Sequence, residues 1–372
     1  MKSLGQYFTT NKMLQDFVYS SAKNRGLLLE PSFGAGHLLV PFLEQNPDYN
    51  MVCCEIDTTI VPVVNFNFNQ TVMLGDFLKV PFGEQRFDTI VGNPPYVKGV
   101  RNLYLGFIEK CFNLLAPNGE MIFIVPSDFF KVTSAMKLIK EMWNTGTFTD
   151  ILFPHDEKLF SNASVDVVVF RFVRGGVRES VCNLNGRDAT IAFDGSYIHF
   201  GDVSGQPIHD IFSVHVGLVT GNEAVFKQPF GNVKVLNTHG GTHDYILVDT
   251  YPCGNPVIDA HLGAHKDELL TRKIRKFSEK NWFEWGALRN VEIMRSGGKE
   301  CVFVKTLTRD KVVAFKSGLQ LFGAGLLCMH PLVDGLDLDK VVAHLNGEAF
   351  RKEFVFAGRF KIGQKQLQNI TL

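Results

Sequence analysis

Four consecutive residues, Asn93-Pro94-Pro95-Tyr96, have side chains and backbone that could do chemistry on a planar amino group. Two prolines fix φ and push Asn93 out of the helical region, at the end of the apolar run 87–92. The Asn93 amide and the Pro94 carbonyl are then two fixed acceptors, which take the amino hydrogens and leave the nitrogen lone pair free to attack. Tyr96 offers a face for stacking. We predict Asn93, Pro94 and Tyr96 as catalytic residues; a rigid turn without chemistry is the alternative.

Three acidic residues at or just beyond predicted strand ends precede this motif. Glu30 lies beside a Gly-containing turn at 34–36, whose small residues let a ligand approach the backbone; without a GKS/T sequence, the turn suits a cationic amino group better than a phosphate. Glu55 ends the second strand, where a carboxylate can accept both ribose hydroxyls. Asp76 could accept from an adenine amino group, with Phe77 as an apolar wall. A nucleoside with a cationic amino-acid arm fits all three, and S-adenosyl-L-methionine is such a compound.

Two further segments could complete the site. Thr9 precedes the first helical pattern, so it either caps that helix or lies over the cofactor with Tyr7. Phe160 lies before the apolar run 165–172 and could stack on the second face of a base held by Tyr96, or simply be core. The predicted cofactor-binding residues are Tyr7, Thr9, Glu30, Ser32, Gly34, Glu55, Ile56, Asp76, Phe77 and Asn93.

The elements that must position these residues alternate between short apolar runs and helical patterns, which predicts an α/β fold with a mostly parallel sheet. Strands are predicted at 26–30, 51–56, 71–74, 87–92, 120–126, 148–153 and 165–172, and helices at 37–45, 103–115 and 129–143. The last two strands leave no room for a long helix between them, so we expect a late antiparallel hairpin. The pattern becomes irregular after residue 176. We place a domain boundary at 200–210 and predict domains 1–205 and 206–372.

Composition describes an ordinary globular protein: 372 residues, 45% hydrophobic, 20% charged and a formal net charge of zero. Basic residues concentrate towards the C-terminus, with 13 Lys and Arg against 7 Asp and Glu in 266–316, and 5 against 1 in 351–372. The seven cysteines form no CxxC pair, so neither a disulfide framework nor a zinc site is predicted. Without a signal or transmembrane pattern, we expect a cytoplasmic protein that is neither secreted nor bound to a membrane.

The order of these motifs resembles the γ-class amino-methyltransferases of DNA, the N6-adenine enzymes of restriction–modification systems. The resemblance is specific over roughly 5–175, and the loop after Tyr96 is shorter than relatives often carry. Its motifs are GQYFTT at 5–10, EPSFGAG at 30–36, CCEID at 53–57, GDF at 75–77, NPPYV at 93–97, RNLY at 101–104 and LFSN at 159–162. It continues loosely with GLVTGN at 217–222, LTR at 307–309 and RFKIGQKQL at 359–367, which resemble landmarks of the family's target-recognition domain.

This resemblance implies a Rossmann-like S-adenosylmethionine-dependent methyltransferase domain followed by a C-terminal DNA target-recognition domain. It implies methyl transfer to N6 of an adenine flipped out of double-stranded DNA, protecting that DNA from a separate cognate restriction endonuclease. Tyr96 and Phe160 would stack on the base. The predicted DNA contacts are Trp282, Arg289, Arg309, Arg359, Lys361 and Lys365, for which core packing or plain surface charge are the alternatives.

Several alternatives stay open at this stage. The same four-residue motif occurs in enzymes that methylate a glutamine amide of a protein, although those typically carry a helical domain before the catalytic unit. An RNA adenine methyltransferase and a non-catalytic DNA-binding subunit also fit, whereas a cytosine-N4 enzyme would more often have Ser at position 93. His261 and His265 are four residues apart, with Asp259 as the lone acidic neighbour, so we expect a structural role and no metal.

Overall fold

The computed structural model divides the chain into two compact units. Unit 1 comprises Met1–Val203 with Phe356–Gly358, and unit 2 comprises Ser204–Val355 with Arg359–Leu372. Among the described residues, no helix combines the length and the apolar character needed to cross a bilayer. The structure describes residues 7–97, 102–154, 156, 159–160, 165–176, 179–193, 195, 198–201, 205–356 and 358–372.

Unit 1 is built on a ten-stranded sheet with α-helices and short 3₁₀ turns between its strands. The helices are α1 Lys12–Ser21, α2 Val40–Gln45, α3 Leu103–Leu114 and α4 Met136–Thr145. The 3₁₀ turns are His37–Leu39, Phe77–Lys79, Phe129–Lys131 and Thr133–Ala135. The strands are β1 Leu28–Glu30, β2 Met51–Glu55, β3 Gln70–Leu74, β4 Phe87–Gly92, β5 Leu115–Pro126, β6 Gly146–Leu152, β7 Val167–Arg174, β8 Val181–Leu184, β9 Arg187–Phe193 and β10 Ile198–Phe200.

The sheet order is β10-β9-β8-β6-β7-β5-β4-β1-β2-β3. Strands β5, β4, β1, β2 and β3 are parallel to one another, and β7 pairs antiparallel with both β5 and β6. The α/β class and the late antiparallel hairpin are therefore confirmed. The sheet continues through β8, β9 and β10, a region in which the sequence predicts no regular strands. The apolar pattern is irregular there because these short strands bury only some of their side chains.

Local chemistry explains how the first helix begins. Asn11, not Thr9, caps α1, and its side chain accepts a hydrogen bond from the Leu14 backbone N–H at 3.3 Å. Leu14, Val18 and Ser21 form the buried stripe of the helix. Of the two roles predicted for Thr9, capping is wrong, because the helix begins two residues later than a Thr9 cap would require, and the Thr9 hydroxyl is available for another contact.

The strand that leads into the Asn93 motif is buried for most of its length. The β4 side chains are buried except Asp88, as expected for a strand inside a parallel sheet with both faces covered. Gly92 ends this strand and packs closely against two side chains. A Cβ atom at this position would lie 3.1 Å from the Phe123 ring and 3.3 Å from Pro31. A larger residue at 92 would displace the start of the motif.

Unit 2 contains an antiparallel four-stranded sheet in the order β11-β17-β14-β16, a β12-β13 hairpin and a pairing of β15 with β19. Its strands are β11 Phe212–Val216, β12 Val233–Leu236, β13 Thr242–Tyr245, β14 Glu300–Lys305, β15 Leu307–Thr308, β16 Ala314–Gly318, β17 Leu326–Pro331, β18 Val355–Phe356 and β19 Arg359–Lys361, of which only Phe356 in β18 is assigned to unit 1. Its helices are α5 Ile208–Ile211, α6 Glu223–Phe226, α7 Pro256–Ala264, α8 Lys266–Leu270, α9 Val291–Ser296, α10 Leu338–Asn346, α11 Glu348–Glu353 and α12 Gln364–Gln368.

Candidate active site

Four polar side chains meet at one edge of the unit 1 sheet. Glu30 ends β1, Glu55 ends β2, Asp76 lies two residues beyond β3, and Asn93 directly follows β4. Strands β4, β1, β2 and β3 are neighbours and parallel, so their carboxyl ends lie at the same edge, where ligands bind in open α/β sheets. The topology thus brings together residues that are up to 63 positions apart in the sequence, from 30 to 93.

A cavity of about 210 Å³ opens at this edge. All ten residues predicted to bind the cofactor line it, from Tyr7 and Thr9 in the N-terminal segment to Asn93 after β4. Pro94, Tyr96 and Phe160, predicted to contact the substrate base, are not among the lining residues of this cavity. Unit 2 has a larger cavity of about 470 Å³, so chemistry and not size distinguishes the site in unit 1.

Glu30 is a buried carboxylate with spare hydrogen-bonding capacity. Only 1% of the residue is exposed, and its Oε1 accepts from the Ser32 backbone N–H at 3.2 Å. Its Oε2 atom is buried and has no hydrogen-bond partner among the described residues. Burial, and secondarily the nearby Glu55 charge, raises the pKa of Glu30 well above its ordinary value. A cationic donor in the cavity would satisfy Oε2 and restore the ionised form.

Glu55 is also buried, but the backbone already uses most of its acceptor capacity. Its Oε1 accepts from the Ile56 and Asp57 backbone N–H groups at 2.9 and 2.8 Å, and its Oε2 from the Gly34 N–H at 2.8 Å. A carboxylate offers about four acceptor positions, so one remains, on Oε2. The sequence suggests that Glu55 can accept hydrogen bonds from both ribose hydroxyls. In this geometry it has one free acceptor position, which suits one of the two hydroxyls.

The Gly-containing turn brings the N-terminal segment over the cavity. Gly34 has φ +56°, and a Cβ atom there would lie 3.1 Å from the Phe8 ring. The absence of a side chain at 34 lets Phe8 approach the turn, while the Gly34 N–H holds Glu55. The segment 7–9 and the turn at 34–36 thus form adjacent walls of one cavity.

Asp76 and Phe77 form the wall after β3. Asp76 Oδ1 accepts from the Leu78 backbone N–H at 3.1 Å, and Oδ2 lies 3.2 Å from the Lys79 ammonium. Phe77 is 2% exposed and its ring packs 5.1 Å from that of Phe107. The arrangement offers a polar group beside an apolar wall, as an adenine ring would require.

The Asn93 amide is held by hydrogen bonds at both ends. Its Nδ2 donates to the Tyr7 carbonyl oxygen at 2.9 Å and to Thr9 Oγ1 at 3.0 Å. Its Oδ1 lies within hydrogen-bond distance of the Tyr96 hydroxyl, which also lies 2.9 Å from the Ile124 carbonyl oxygen. The segment after β4 and the N-terminal segment are thus joined at the amide that we predict to act on the substrate.

The aromatic rings near Asn93 depart from the sandwich that the sequence suggests. The Tyr7 ring contacts both expected stacking partners, with centroids 5.2 Å from Tyr96 and 5.8 Å from Phe160. Phe160 is buried, at 4% exposure. Burial of the Tyr96 hydroxyl raises the pKa of Tyr96 well above its ordinary value. The Tyr7 ring therefore already contacts both of the rings between which the sequence suggests that a base would stack.

The predicted DNA contacts of unit 2 separate by exposure. Arg289, Arg309, Arg359, Lys361 and Lys365 are exposed. Trp282 is buried, at 2% exposure, with its ring edge-on to Tyr251 at 4.6 Å, so the prediction that Trp282 contacts DNA is wrong for this structure. Its large apolar area drives it into the core, as the alternative interpretation held.

Histidine and acidic side chains in the described part of the chain form no cluster that could hold a metal ion. His261 Nε2 lies 2.9 Å from the Val225 carbonyl oxygen, and His265 Nδ1 lies 2.9 Å from the His261 carbonyl oxygen. The His261 side chain thus contacts the backbone at α6, and the His265 side chain contacts the backbone of the last turn of α7. These contacts are of the structural kind expected for both residues.

Half of the cavity lining was not predicted from the sequence. Phe8 lies inside the quoted GQYFTT motif, next to two predicted residues, and that adjacency was the available signal. Leu103 and Phe107 come from α3, whose apolar pattern gives no sign of which side chains face the cavity. Parts of the quoted motifs at 5–6, 101 and 161–162 lie outside the described residues. The other unpredicted lining residues are Pro31, Phe33, His37, Leu38, Gly75, Leu78 and Pro95.

Known proteins similar to this chain are restriction–modification methylases. Residues 59–160 match the family described as Eco57I restriction-modification methylase. The Type II methyltransferase M.HincII of Haemophilus influenzae is 29% identical over 210 residues, which cover 49% of this chain and 39% of that protein. The modification methylase CviBIII of Paramecium bursaria Chlorella virus NC1A is 35% identical over 117 residues, covering 27% of this chain and 30% of that protein.

A solved structure extends the comparison to both units. The Type IIL restriction-modification enzyme MmeI, solved in complex with DNA, aligns with 97% of this chain and 64% of its own, with a TM-score of 0.61 and 11% sequence identity. At that identity the likeness shows a shared fold. The chain spans less than half the length of the sequence relatives named above. The resemblance to restriction–modification methyltransferases is confirmed, and with it the α/β methyltransferase fold with its mostly parallel sheet; the DNA-recognition role of unit 2 stays a prediction.

Proposed function

We propose that this chain is a site-specific DNA methyltransferase that transfers the methyl group of S-adenosyl-L-methionine to the N6 amino group of adenine. The observation that carries the proposal is that Asn93 lines the same cavity as Glu30, Glu55 and Asp76. An amide acceptor for an amino group thus lies beside carboxylates suited to a cationic nucleoside. The match to restriction–modification methylases over 59–160 supports the same reading.

The residues of the cavity fit this cofactor on chemical grounds. Glu30 Oε2, buried and without a partner among the described residues, suits the cofactor ammonium group. The remaining acceptor position of Glu55 suits one ribose hydroxyl, and Asp76 with Phe77 suits the adenine ring. Tyr7 and Thr9 close the cavity from the N-terminal side. When bound, the cofactor supplies a methyl group on an electrophilic sulfonium.

The proposed role of Asn93 and Pro94 is to hold the target amino group. An aromatic amino group is a poor nucleophile because its lone pair is delocalised into the ring. Two fixed acceptors, Asn93 Oδ1 and the Pro94 carbonyl oxygen, favour the more tetrahedral nitrogen whose lone pair can attack. Burial raises the pKa of Tyr96, which favours the neutral form of its hydroxyl, and the proposed mechanism needs no base before transfer. The proton leaves to water after transfer.

We further propose that unit 2 reads double-stranded DNA. The exposed cations Arg289, Arg309, Arg359, Lys361 and Lys365 are candidates for phosphate or base contacts. The target adenine must leave the helix to reach Asn93, at a cost of roughly a few kcal/mol. The methylated site would protect the DNA from a separate cognate restriction endonuclease, in the compartment that holds the DNA.

A methyl-acceptor assay tests this proposal. Purified protein is incubated with methyl-labelled S-adenosyl-L-methionine and either duplex DNA, structured RNA or protein, and the labelled product is digested and identified by mass spectrometry. We expect labelled N6-methyl-2′-deoxyadenosine from duplex DNA and no labelled product from RNA or protein. Labelled N4-methylcytosine, methylated RNA or methylated glutamine would each replace the proposed substrate. Cofactor binding without transfer to any acceptor would indicate a non-catalytic subunit.

A further inference from the structure

The two ends of an asparagine amide have the same shape but opposite hydrogen-bonding character. If the Asn93 oxygen faces the substrate, the amide accepts an amino hydrogen; if the nitrogen faces it, the amide repels that hydrogen. The proposed reaction therefore needs more than an Asn at position 93. It needs a device that keeps the amide from turning over.

The N-terminal segment supplies such a device. Asn93 Nδ2 donates to the Tyr7 carbonyl oxygen at 2.9 Å and to Thr9 Oγ1 at 3.0 Å. A backbone carbonyl can only accept, so it discriminates between the two ends of the amide. With the amide reversed, Oδ1 would face the lone pairs of that carbonyl, whereas the Thr9 hydroxyl can donate as well as accept; the Tyr7 carbonyl therefore selects the orientation, and the Thr9 hydroxyl adds a second hydrogen bond that holds the amide in place.

The opposite end of the amide faces a donor that can withdraw. The Tyr96 hydroxyl reaches Asn93 Oδ1 and also lies 2.9 Å from the Ile124 carbonyl oxygen. A hydroxyl has one hydrogen, so it donates to one of these acceptors at a time. When it turns to Ile124, both lone pairs of Asn93 Oδ1 are open to an incoming amino group.

Thr9 is held firmly enough to orient a neighbour. It is 4% exposed, and its carbonyl oxygen accepts from the Gln15 side chain at 2.8 Å. Gln15 belongs to α1, whose start is capped by Asn11. Thr9 is consequently anchored to α1 through its carbonyl oxygen, and its hydroxyl is not needed to cap that helix.

We propose that Thr9, acting with the Tyr7 carbonyl, is a positioning residue that keeps the oxygen of the Asn93 amide towards the substrate. The inference rests on the proposed methyl transfer and deepens it. Thr9 was predicted as a cofactor contact, and the two roles make different predictions. A cofactor contact acts on cofactor affinity, whereas a positioning residue acts on the rate of transfer at saturating cofactor, and only through Asn93.

The test is a double-mutant cycle in the full chain. Thr9→Val replaces the hydroxyl by a methyl group of similar size, and Thr9→Ser keeps the hydroxyl as the matched control. The single-turnover transfer rate to duplex DNA is measured at saturating S-adenosyl-L-methionine for wild type, Thr9→Val, Thr9→Ser, Asn93→Ala and the Thr9→Val/Asn93→Ala pair. Cofactor Kd is measured for each by titration calorimetry.

We expect Thr9→Val to slow transfer roughly 3- to 10-fold, the range for one lost hydrogen bond, with wild-type cofactor Kd. Thr9→Ser should restore the lost rate, and Thr9→Val should cause no further loss in the Asn93→Ala background. An equal loss in both backgrounds, a wild-type rate for Thr9→Val, or a weaker Kd with a wild-type rate at saturation would each overturn the inference. If wild type itself methylates no acceptor, the proposed function fails, which is a distinct outcome.

Discussion

Glu30→Gln tests the electrostatic core of the site, because it removes the charge of Glu30 while keeping its shape. Oε1 of this side chain accepts from the Ser32 N–H at 3.2 Å, and a glutamine oxygen can continue to do so. Oε2, which has no partner among the described residues, becomes an amide nitrogen that cannot accept from an ammonium group. The variant thus deletes the proposed cofactor contact and little else.

The magnitude follows from the chemistry of that contact. A hydrogen bond to a charged group contributes about 1.5–3 kcal/mol, so the Kd for S-adenosyl-L-methionine should rise roughly 10- to 150-fold. The upper part of this range is expected because Glu30 is only 1% exposed, and solvent screens it little. The Ser32 hydrogen bond remains and keeps the loss from being larger.

The pH dependence gives a second, independent signature. Burial raises the pKa of Glu30 in the free protein, so at a pH below that raised pKa the carboxyl must lose its proton when a cation binds. Cofactor affinity of the wild type should therefore fall as the pH drops through that raised pKa. Cofactor binding should release a proton at pH values between the ordinary carboxyl pKa and the raised one. Glu30→Gln should lack both effects.

The same pKa shift predicts the effect on stability. A carboxyl whose pKa is raised on folding contributes stability that is present below its ordinary pKa and is lost as the pH rises through the folded value. The Glu30→Gln variant has no such loss. Without cofactor, its free energy of unfolding in urea should therefore rise relative to that of wild type as the pH increases from the ordinary carboxyl pKa to the raised one, and the difference should stay constant above it.

Titration calorimetry in buffers of different ionisation enthalpy measures both Kd and proton release. Glu44→Gln, which removes an exposed charge of the same unit, is the matched control and should bind the cofactor as wild type does. Wild-type affinity for Glu30→Gln across the pH range would refute the assignment of Glu30 to the ammonium group. A weakened Kd without any change in proton release would refute the ionisation argument alone.

Three further perturbations separate the remaining roles. Glu55→Ala should weaken cofactor binding and lower thermal stability together, because the Gly34 N–H loses its partner; calorimetry and thermal unfolding would detect both. Trp282→Ala should cost about 3–5 kcal/mol in urea unfolding while the salt dependence of DNA binding by the folded protein stays unchanged. Arg359→Ala should reduce the slope of log K against log salt by about 1 in gel-shift titrations without changing stability.

Residues at strand ends were predictable because their positions follow from local patterns and one rule of topology. Glu30, Glu55 and Asn93 each end or follow an apolar run, and parallel neighbours put such ends at one edge. Their partners were not predictable. That Glu55 accepts three backbone N–H groups depends on the φ of Gly34 and the course of the chain after β2.

Other features depend on packing between distant segments, which a single sequence does not encode in a readable pattern. The Tyr7 ring lies against both Tyr96 and Phe160, although nothing in the order of these residues indicates it. Trp282 lies three residues before Trp285, a spacing that suits a buried face and an exposed reading surface equally, and the structure buries both. Domain roles stay predictions, since exposure of cations in unit 2 does not by itself identify a DNA surface.

The central claim, that the Asn93 amide holds the target amino group, is tested most directly by the single-turnover rate of Asn93→Ala. Removing one preorganised hydrogen-bonding group of this kind costs about 2.7–4 kcal/mol, so transfer to duplex DNA should slow roughly 100-fold or more. Cofactor Kd should change much less than the rate, because the proposed contact of Asn93 Oδ1 is with the target amino group and the carboxylates that are proposed to hold the cofactor, Glu30, Glu55 and Asp76, are retained. Transfer by Asn93→Ala at the wild-type rate, with saturating cofactor, would contradict the mechanism.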